Sequence, residues 1–317
     1  MRPNTVRRGM SAGALLIATT TCAATLPAAH AEAQRSTTPT LRVADGTLTI
    51  GTPARVRGTA PNADGRTVVL EHRVRRGAWT RLATGTVAGG RFAFTAAIPA
   101  SGALRATVLP LAGTDLAVSA SAASTTNEQG VAISRAVRVA GKHLDVRAGR
   151  RAAVRGSVAP ATAGVRVAMQ VRRGGRWRVV DRDRTAAGGR FRLVDRAVEA
   201  SSRRVRVVAA GGGGLSAARR PVGRLRVYRT TYASWYGPGL YGQPLGCSGR
   251  ALQAGQLGVA HKTRPCGTRV TFRYGGRSLT VRVIDRGPYV GGREYDLTAA
   301  TAERLGFHGH GAILATR

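Results

Sequence analysis

Acidic residues are scarce in this chain. Its 317 residues hold 15 Asp and Glu against 50 Lys and Arg, a formal net charge of +35. Lysine is nearly missing as well: Lys142 and Lys262 are the two lysines among those 50. The charge therefore resides on guanidinium groups and draws the protein to polyanions. Inside a cell the default partner would be nucleic acid. The export signal described next replaces that expectation with anionic wall polymers, so no nucleic-acid partner is expected. Cysteine is rare too, at three residues. There is no C-x-x-C and no nearby histidine pair at ligand spacing, which argues against zinc. No metal and no cofactor are expected. No stretch beyond the N-terminus is long and apolar enough to span a bilayer, which leaves peripheral membrane contact and excludes a transmembrane segment.

Residues 1–31 read as a signal peptide. Arg2, Arg7 and Arg8 precede an apolar, small-residue run over 11–26, and Ala29-His30-Ala31 supplies an A-x-A cleavage site. The mature protein is expected to be secreted and held at the cell wall. Cleavage removes Cys22 and leaves Cys247 and Cys266. An even pair in one exported domain reads as a disulfide, with two free buried thiols as the alternative. A bridge would close a loop of about 20 residues and contribute about 3 kcal/mol through chain entropy.

Residues 32–40 are polar and expected to be disordered. An internal repeat follows. VRG at 56–58 recurs at 154–156, RGAW at 76–79 as GGRW at 174–177, and GGRF at 89–92 again at 188–191. The spacing of close to one hundred residues suits one β-sandwich per copy, and short alternating runs between Gly, Pro and Asp suit its strands. The predicted class is mainly β: two immunoglobulin-like sandwich repeats over 41–125 and 140–228, a linker over 126–139, and a third domain over 229–317. Trp79 and Trp177 hold equivalent positions and are expected in the two cores. The glycine run at 211–214 reads as a hairpin tip inside the second repeat. Neither repeat carries an acid/base constellation, so spacing or wall adhesion is their expected role.

In the third domain, alternating residues flank Gly275-Gly276, a two-residue hairpin signal. A short helix is predicted from Thr298, as N-cap, to Leu305 with Gly306 just past its end, and 312–315 suits a closing strand. Three islands stand out: ASWYGPGLYG (233–242), GVAHKTRPCGT (258–268) and VIDRGPYVGGREYDLT (283–298). Their order resembles the RlpA-like (rare lipoprotein A) double-psi β-barrel family, whose members act on bacterial cell-wall glycan, some as lytic transglycosylases. The resemblance covers this domain alone. It implies a six-stranded double-psi β-barrel with a short helix, peptidoglycan glycan strands as substrate, and catalysis by His261 and Asp285.

The residue types support that chemistry independently. Hydrolytic glycosidases generally use two carboxyl groups. A lytic transglycosylase needs no water, because the muramic acid's own 6-hydroxyl attacks the anomeric carbon and leaves a 1,6-anhydro end. One carboxyl can protonate the leaving oxygen and then take the hydroxyl proton. The domain has four acids, Asp285, Glu294, Asp296 and Glu303, of which Asp285 follows a strand and precedes a tight loop. His261 would orient it or stabilise developing charge. Glu303 is expected on the helix surface, and Asp296 is expected to anchor the helix start. Tyr236, Tyr241, Arg286 and Tyr289 form the expected substrate-binding set, with aromatic faces suited to sugars; Trp235 is placed nearer the core and Tyr241 nearer the surface. His308 and His310 are not expected to bind metal. One departure from the family pattern falls on Arg250, where lytic members carry a Glu before the His. A guanidinium there removes a candidate proton carrier and leaves a second reading open: an expansin-like module that binds and loosens the wall without cleaving it.

Overall fold

The computed structural model describes residues 37–110 and 122–317. The expected signal peptide, Cys22 and residues 32–36 lie outside that range. The chain is mainly β, with one α-helix among the described residues.

The first module packs two sheets on one core. The smaller sheet orders Thr40–Val43, Ala54–Thr59 and Arg91–Ala96. The larger orders Thr47–Thr49, Gln129–Ser134, Gly102–Val108, Thr67–Arg73 and Thr80–Thr86. Alternate residues of each strand point inward, so Leu41, Val56, Leu70, Leu104 and Ile133 meet in one cluster. The second module repeats this order. Ala136–His143, Arg150–Ala159 and Arg190–Ala197 face Asp145–Arg147, Ala218–Tyr236, Ser201–Ala209, Arg166–Arg173 and Arg176–Arg184. Even the parallel pairing recurs: Thr47–Thr49 beside Gln129–Ser134 corresponds to Asp145–Arg147 beside Ala218–Tyr236.

The repeated motifs have a packing cause. Gly58 of VRG lies opposite Phe92 of GGRF, and Gly156 lies opposite Phe191. A Cβ on Gly58 would meet the Phe92 ring at 2.0 Å, and one on Gly156 would meet Phe191 at 2.7 Å. In each module the aromatic ring lies over a glycine and fills the space a side chain would occupy.

Three expectations are corrected. Trp79 and Trp177 are half-buried on the outer faces of the larger sheets instead of sitting in the cores. Arg105 stacks 4.2 Å from the Trp79 ring centroid and Arg206 4.1 Å from that of Trp177; the cation–π contact and the guanidinium stem provide cover that a core would otherwise supply. The 126–139 segment is no linker. Gln129–Ser134 is an integral strand of the first module, Ala136–His143 opens the second, and Arg135 alone separates them. Residue 40, placed in the disordered segment, begins a strand paired with Thr59.

Gly211–Gly214 turns between Ser201–Ala209 and Ala218–Tyr236, as a hairpin tip. The second of these strands is 19 residues long. Through Val227 it pairs with Ser201–Ala209, and from Arg229 onward with Gly311–Ala315. One strand therefore serves both the second module and the C-terminal domain. There, its distal half pairs with Tyr295–Thr298, which continues through Val259–Ala260, Arg277–Asp285, Arg269–Tyr274 and Gly311–Ala315 back to the first strand. The path of pairings thus returns to its starting strand. Gly275 and Gly276 form the predicted turn, both at positive φ. Val270, Phe272, Val281, Val283 and Leu297 fill the interior, each such burial stabilising by about 2 kcal/mol. Helix Ala299–Leu305 starts where the Thr298 hydroxyl accepts from the Thr301 N–H and stops at left-handed Gly306.

Candidate active site

Three chain segments converge on Asp285, the last residue of strand Arg277–Asp285. Its Oδ1 accepts from the Gly246 N–H at 2.7 Å and from the Arg286 N–H at 2.8 Å. Gly246 allows this approach because a Cβ there would meet Arg286 Cγ at 2.9 Å and Asp285 Oδ1 at 3.1 Å. The neighbouring Cys247 is bridged to Cys266, with Cα atoms 5.6 Å apart, so the pair read from the sequence is joined. Arg286 ties the arrangement together from the other side. Its guanidinium donates to the carbonyls of His261 and Arg264 and approaches Cys266 Sγ. Arg286 thus braces the loops.

His261 is buried and its imidazole does not bond to the Asp285 carboxylate. The two residues meet through backbone, His261 N–H to Asp285 carbonyl at 3.2 Å. Nδ1 accepts from the N–H groups of Thr263 and Arg264 at 3.1 and 3.0 Å, which places the proton of the neutral ring on Nε2. Nε2 faces Glu294 Oε1 at 3.6 Å, and the ring lies edge-on to Tyr295. Burial, then the nearby Arg264 charge, push the His261 pKa down in spite of Glu294.

Glu294, unassigned in the sequence reading, is the hub beneath this loop. It takes hydrogen bonds from Arg229 and from the Thr231 hydroxyl, and an ion pair from Arg264 at 3.4 Å. Burial alone would raise its pKa; the Arg229 and Thr231 bonds and the Arg229 charge outweigh that and hold it at about 2. The sequence signal available was a lone Glu two residues before an Asp on a buried strand, which is too common to single out.

Asp296 departs from its expected place. It lies inside strand Tyr295–Thr298 rather than at the helix start, directly opposite Ser234, whose hydroxyl donates to it at 2.8 Å. Burial raises its pKa; the Ser234 bond and Arg293 oppose this, and the Asp285 charge adds to it. The Tyr236 hydroxyl is buried beside the same two carboxylates without an aligned hydrogen bond. Burial, then Asp285, push its pKa upward. Tyr236, Asp285 and Asp296 thus form an acidic cluster at the mouth of the ring.

Around the mouth, Trp235, Tyr241 and Tyr289 are exposed, Tyr289 at 80%. Trp235 is therefore a surface residue, contrary to its expected place, while Tyr241 is where it was expected. Tyr241 folds its ring over Gly237. Arg250 is exposed, and no hydrogen bond or ion pair joins its side chain to Asp285 among the described residues. No group of three or more His, Cys, Asp or Glu is placed to hold a metal among the described residues.

Residues 228–315 match the double-psi β-barrel family model described as lytic transglycolase. The C-terminal domain is RlpA-like. A probable endolytic peptidoglycan transglycosylase RlpA from Synechocystis sp. is 46% identical over 81 residues, 25% of this chain and 25% of that protein. Its counterpart from Aquifex aeolicus is 40% identical over 88 residues, 27% of this chain and 38% of that protein. The endolytic peptidoglycan transglycosylase RlpA of Campylobacter jejuni is 43% identical over 75 residues, 23% and 27% of the two lengths. The chain thus spans well under half the length of these relatives. No helix among the described residues is long and apolar enough to cross a membrane.

Proposed function

We propose that this is a secreted cell-wall protein whose RlpA-like domain, a six-stranded double-psi β-barrel, binds peptidoglycan glycan strands and cleaves them as a lytic transglycosylase. The reading rests most on one observation. Asp285 is a carboxylate oriented by two backbone N–H groups, beside a second, buried carboxyl whose pKa is raised. Burial first, and the Asp285 charge in addition, raise the Asp296 pKa. Acting as the acid, Asp285 delivers a proton to the glycosidic oxygen as the bond to the anomeric carbon breaks. The resulting carboxylate then takes the proton of the 6-hydroxyl as that oxygen bonds the anomeric carbon, so atoms balance without water. His261, neutral and pinned by the loop amides, is a positioning residue: through its backbone it holds the end of the Asp285 strand. Tyr241 and Tyr289 offer faces for sugar rings. The two upstream modules are immunoglobulin-like sandwiches that carry the barrel.

Arg250 supports a second reading, an expansin-like module that binds the wall without cutting it. The two separate when the mature protein and its Asp285→Asn variant are incubated with purified sacculi. 1,6-Anhydro-muropeptides from the wild type alone are the expected result. Sacculus binding by both proteins with no soluble product from either refutes the lytic reading in favour of the expansin-like one.

A further inference from the structure

The junction between the second module and the RlpA-like domain holds a cavity of about 530 Å³. Arg224, Arg226, Arg269 and Arg317 line it with Ser202, Thr268, Thr271 and Thr280, and no side-chain carboxylate does. Arg226 reaches Asp145 at 3.3 Å, outside the lining. Arg224 rests on Ser202, Nε to Oγ at 3.1 Å. The side chains of Arg269 and Arg317 make no hydrogen bond or ion pair among the described residues. A second cavity of about 690 Å³ shares Ser202 and Arg317 and adds Arg172, Arg173, Arg203, Arg229 and Arg264. Its one carboxylate, Glu199, is engaged by Arg203 at 3.1 Å.

This arrangement works against the fold. Arg204 stands directly across from Arg224 on the adjacent strand, and like charges so placed are destabilising. Burial first, then the charges of Arg204, Arg226, Arg269 and Arg317, lower the Arg224 pKa. Arg229 and Arg264, which also line the second cavity, are paired with Glu294. In the first cavity the side chains of Arg269 and Arg317 have no such partner among the described residues. Four guanidinium groups present more donors than the two oxygens of one carboxylate can accept, whereas phosphate groups bring more oxygens and more charge each. Two cavities sharing one wall suit successive phosphates on one chain.

We propose that this arginine-lined junction is a binding site for a phosphodiester polymer of the cell wall, engaged over more than one phosphate and separate from the Asp285 site. The test is calorimetry on the full mature chain at fixed salt, with inorganic phosphate, a glycerol phosphate monomer and a glycerol phosphate oligomer as probes. Affinity should rise with phosphate number. Arg224→Gln with Arg269→Gln should weaken oligomer binding by at least about tenfold. Arg55→Gln with Arg57→Gln, the same charge loss on the exposed face of the first module, should leave it within about twofold, and Asp285→Asn should leave it unchanged. If the site pair lowers the melting temperature, Arg269→Gln alone, whose side chain holds nothing in place, carries the same comparison. Equal losses in the two double variants would reduce the effect to net charge and overturn the proposal. So would equal affinity for an oligogalacturonate or a single-stranded DNA of matched charge. Because binding is read without turnover, the result stands whether or not the barrel proves lytic.

Discussion

The Gly246 amide donates to Asp285 Oδ1 at 2.7 Å across 39 residues of sequence. A disulfide at the next residue holds the donor in place, and a glycine is required because no Cβ fits between the donor and Arg286. Gly246→Ala should therefore push the carboxylate aside while leaving the barrel folded. Anhydro-product release from sacculi should fall by about 10- to 100-fold, with an unchanged circular dichroism spectrum. Wild-type turnover from this variant would show that the amide does not position Asp285.

Cys247→Ser with Cys266→Ser should lower stability by about 3 kcal/mol, the loop-closure contribution for 19 residues of separation. Denaturant midpoints measured with and without reductant check this, since reductant should shift the wild type toward the variant and leave the variant unmoved.

Glu294 links pH to stability in a defined direction. Its folded pKa, about 2, lies below the ordinary 4.5. Its contribution is therefore complete above pH 4.5 and is lost as pH falls toward 2. Glu294→Gln should be less stable than wild type at pH 7, by about 1–2 kcal/mol once solvent screening is allowed for, and the difference should shrink below pH 4.5. Equal differences at pH 7 and pH 3 would contradict this.

His261 acts in a higher window. Its folded pKa is lowered from 6.5, so the neutral ring favours the folded state, and that contribution is complete above pH 6.5 and declines as pH falls below it. An NMR titration should find the ring neutral, protonated on Nε2, at a pH where a free histidine is half charged. Titration at or above 6.5 would refute the neutral assignment.

Gly156→Ala should disrupt the second module, because the new methyl meets the Arg138 carbonyl oxygen at 2.1 Å as well as the Phe191 ring. A loss of about 3 kcal/mol or more is expected. Gly156→Ala with Phe191→Leu should recover only part, since the carbonyl clash remains. Thermal unfolding of the two variants measures the difference.

Much of the barrel was legible in sequence because its signals are local. Gly275-Gly276 demands positive φ at both positions, Thr298 and Gly306 cap the helix through groups within a few residues, and the three motif islands carry the family resemblance in order. The repeat was legible for the same reason, as Gly58 with Phe92 and Gly156 with Phe191 are encoded by matching motifs. What sequence patterns could not decide was which side of a sheet a large residue faces once arginines can cover it. Trp79, Trp177 and Trp235 are apolar by composition, yet stacked guanidinium groups or an open rim keep them outside the core. Nor do chain-local signals show that Arg135 alone separates two modules, or that one 19-residue strand serves two domains. Asp285, Asp296, Glu294 and His261 were all visible as residues. Only the tertiary structure decided that Glu294 rather than Asp285 faces the imidazole and that Asp296 joins Asp285, because strand pairing brings together groups whose electrostatics depend on burial and on neighbours far away in the chain.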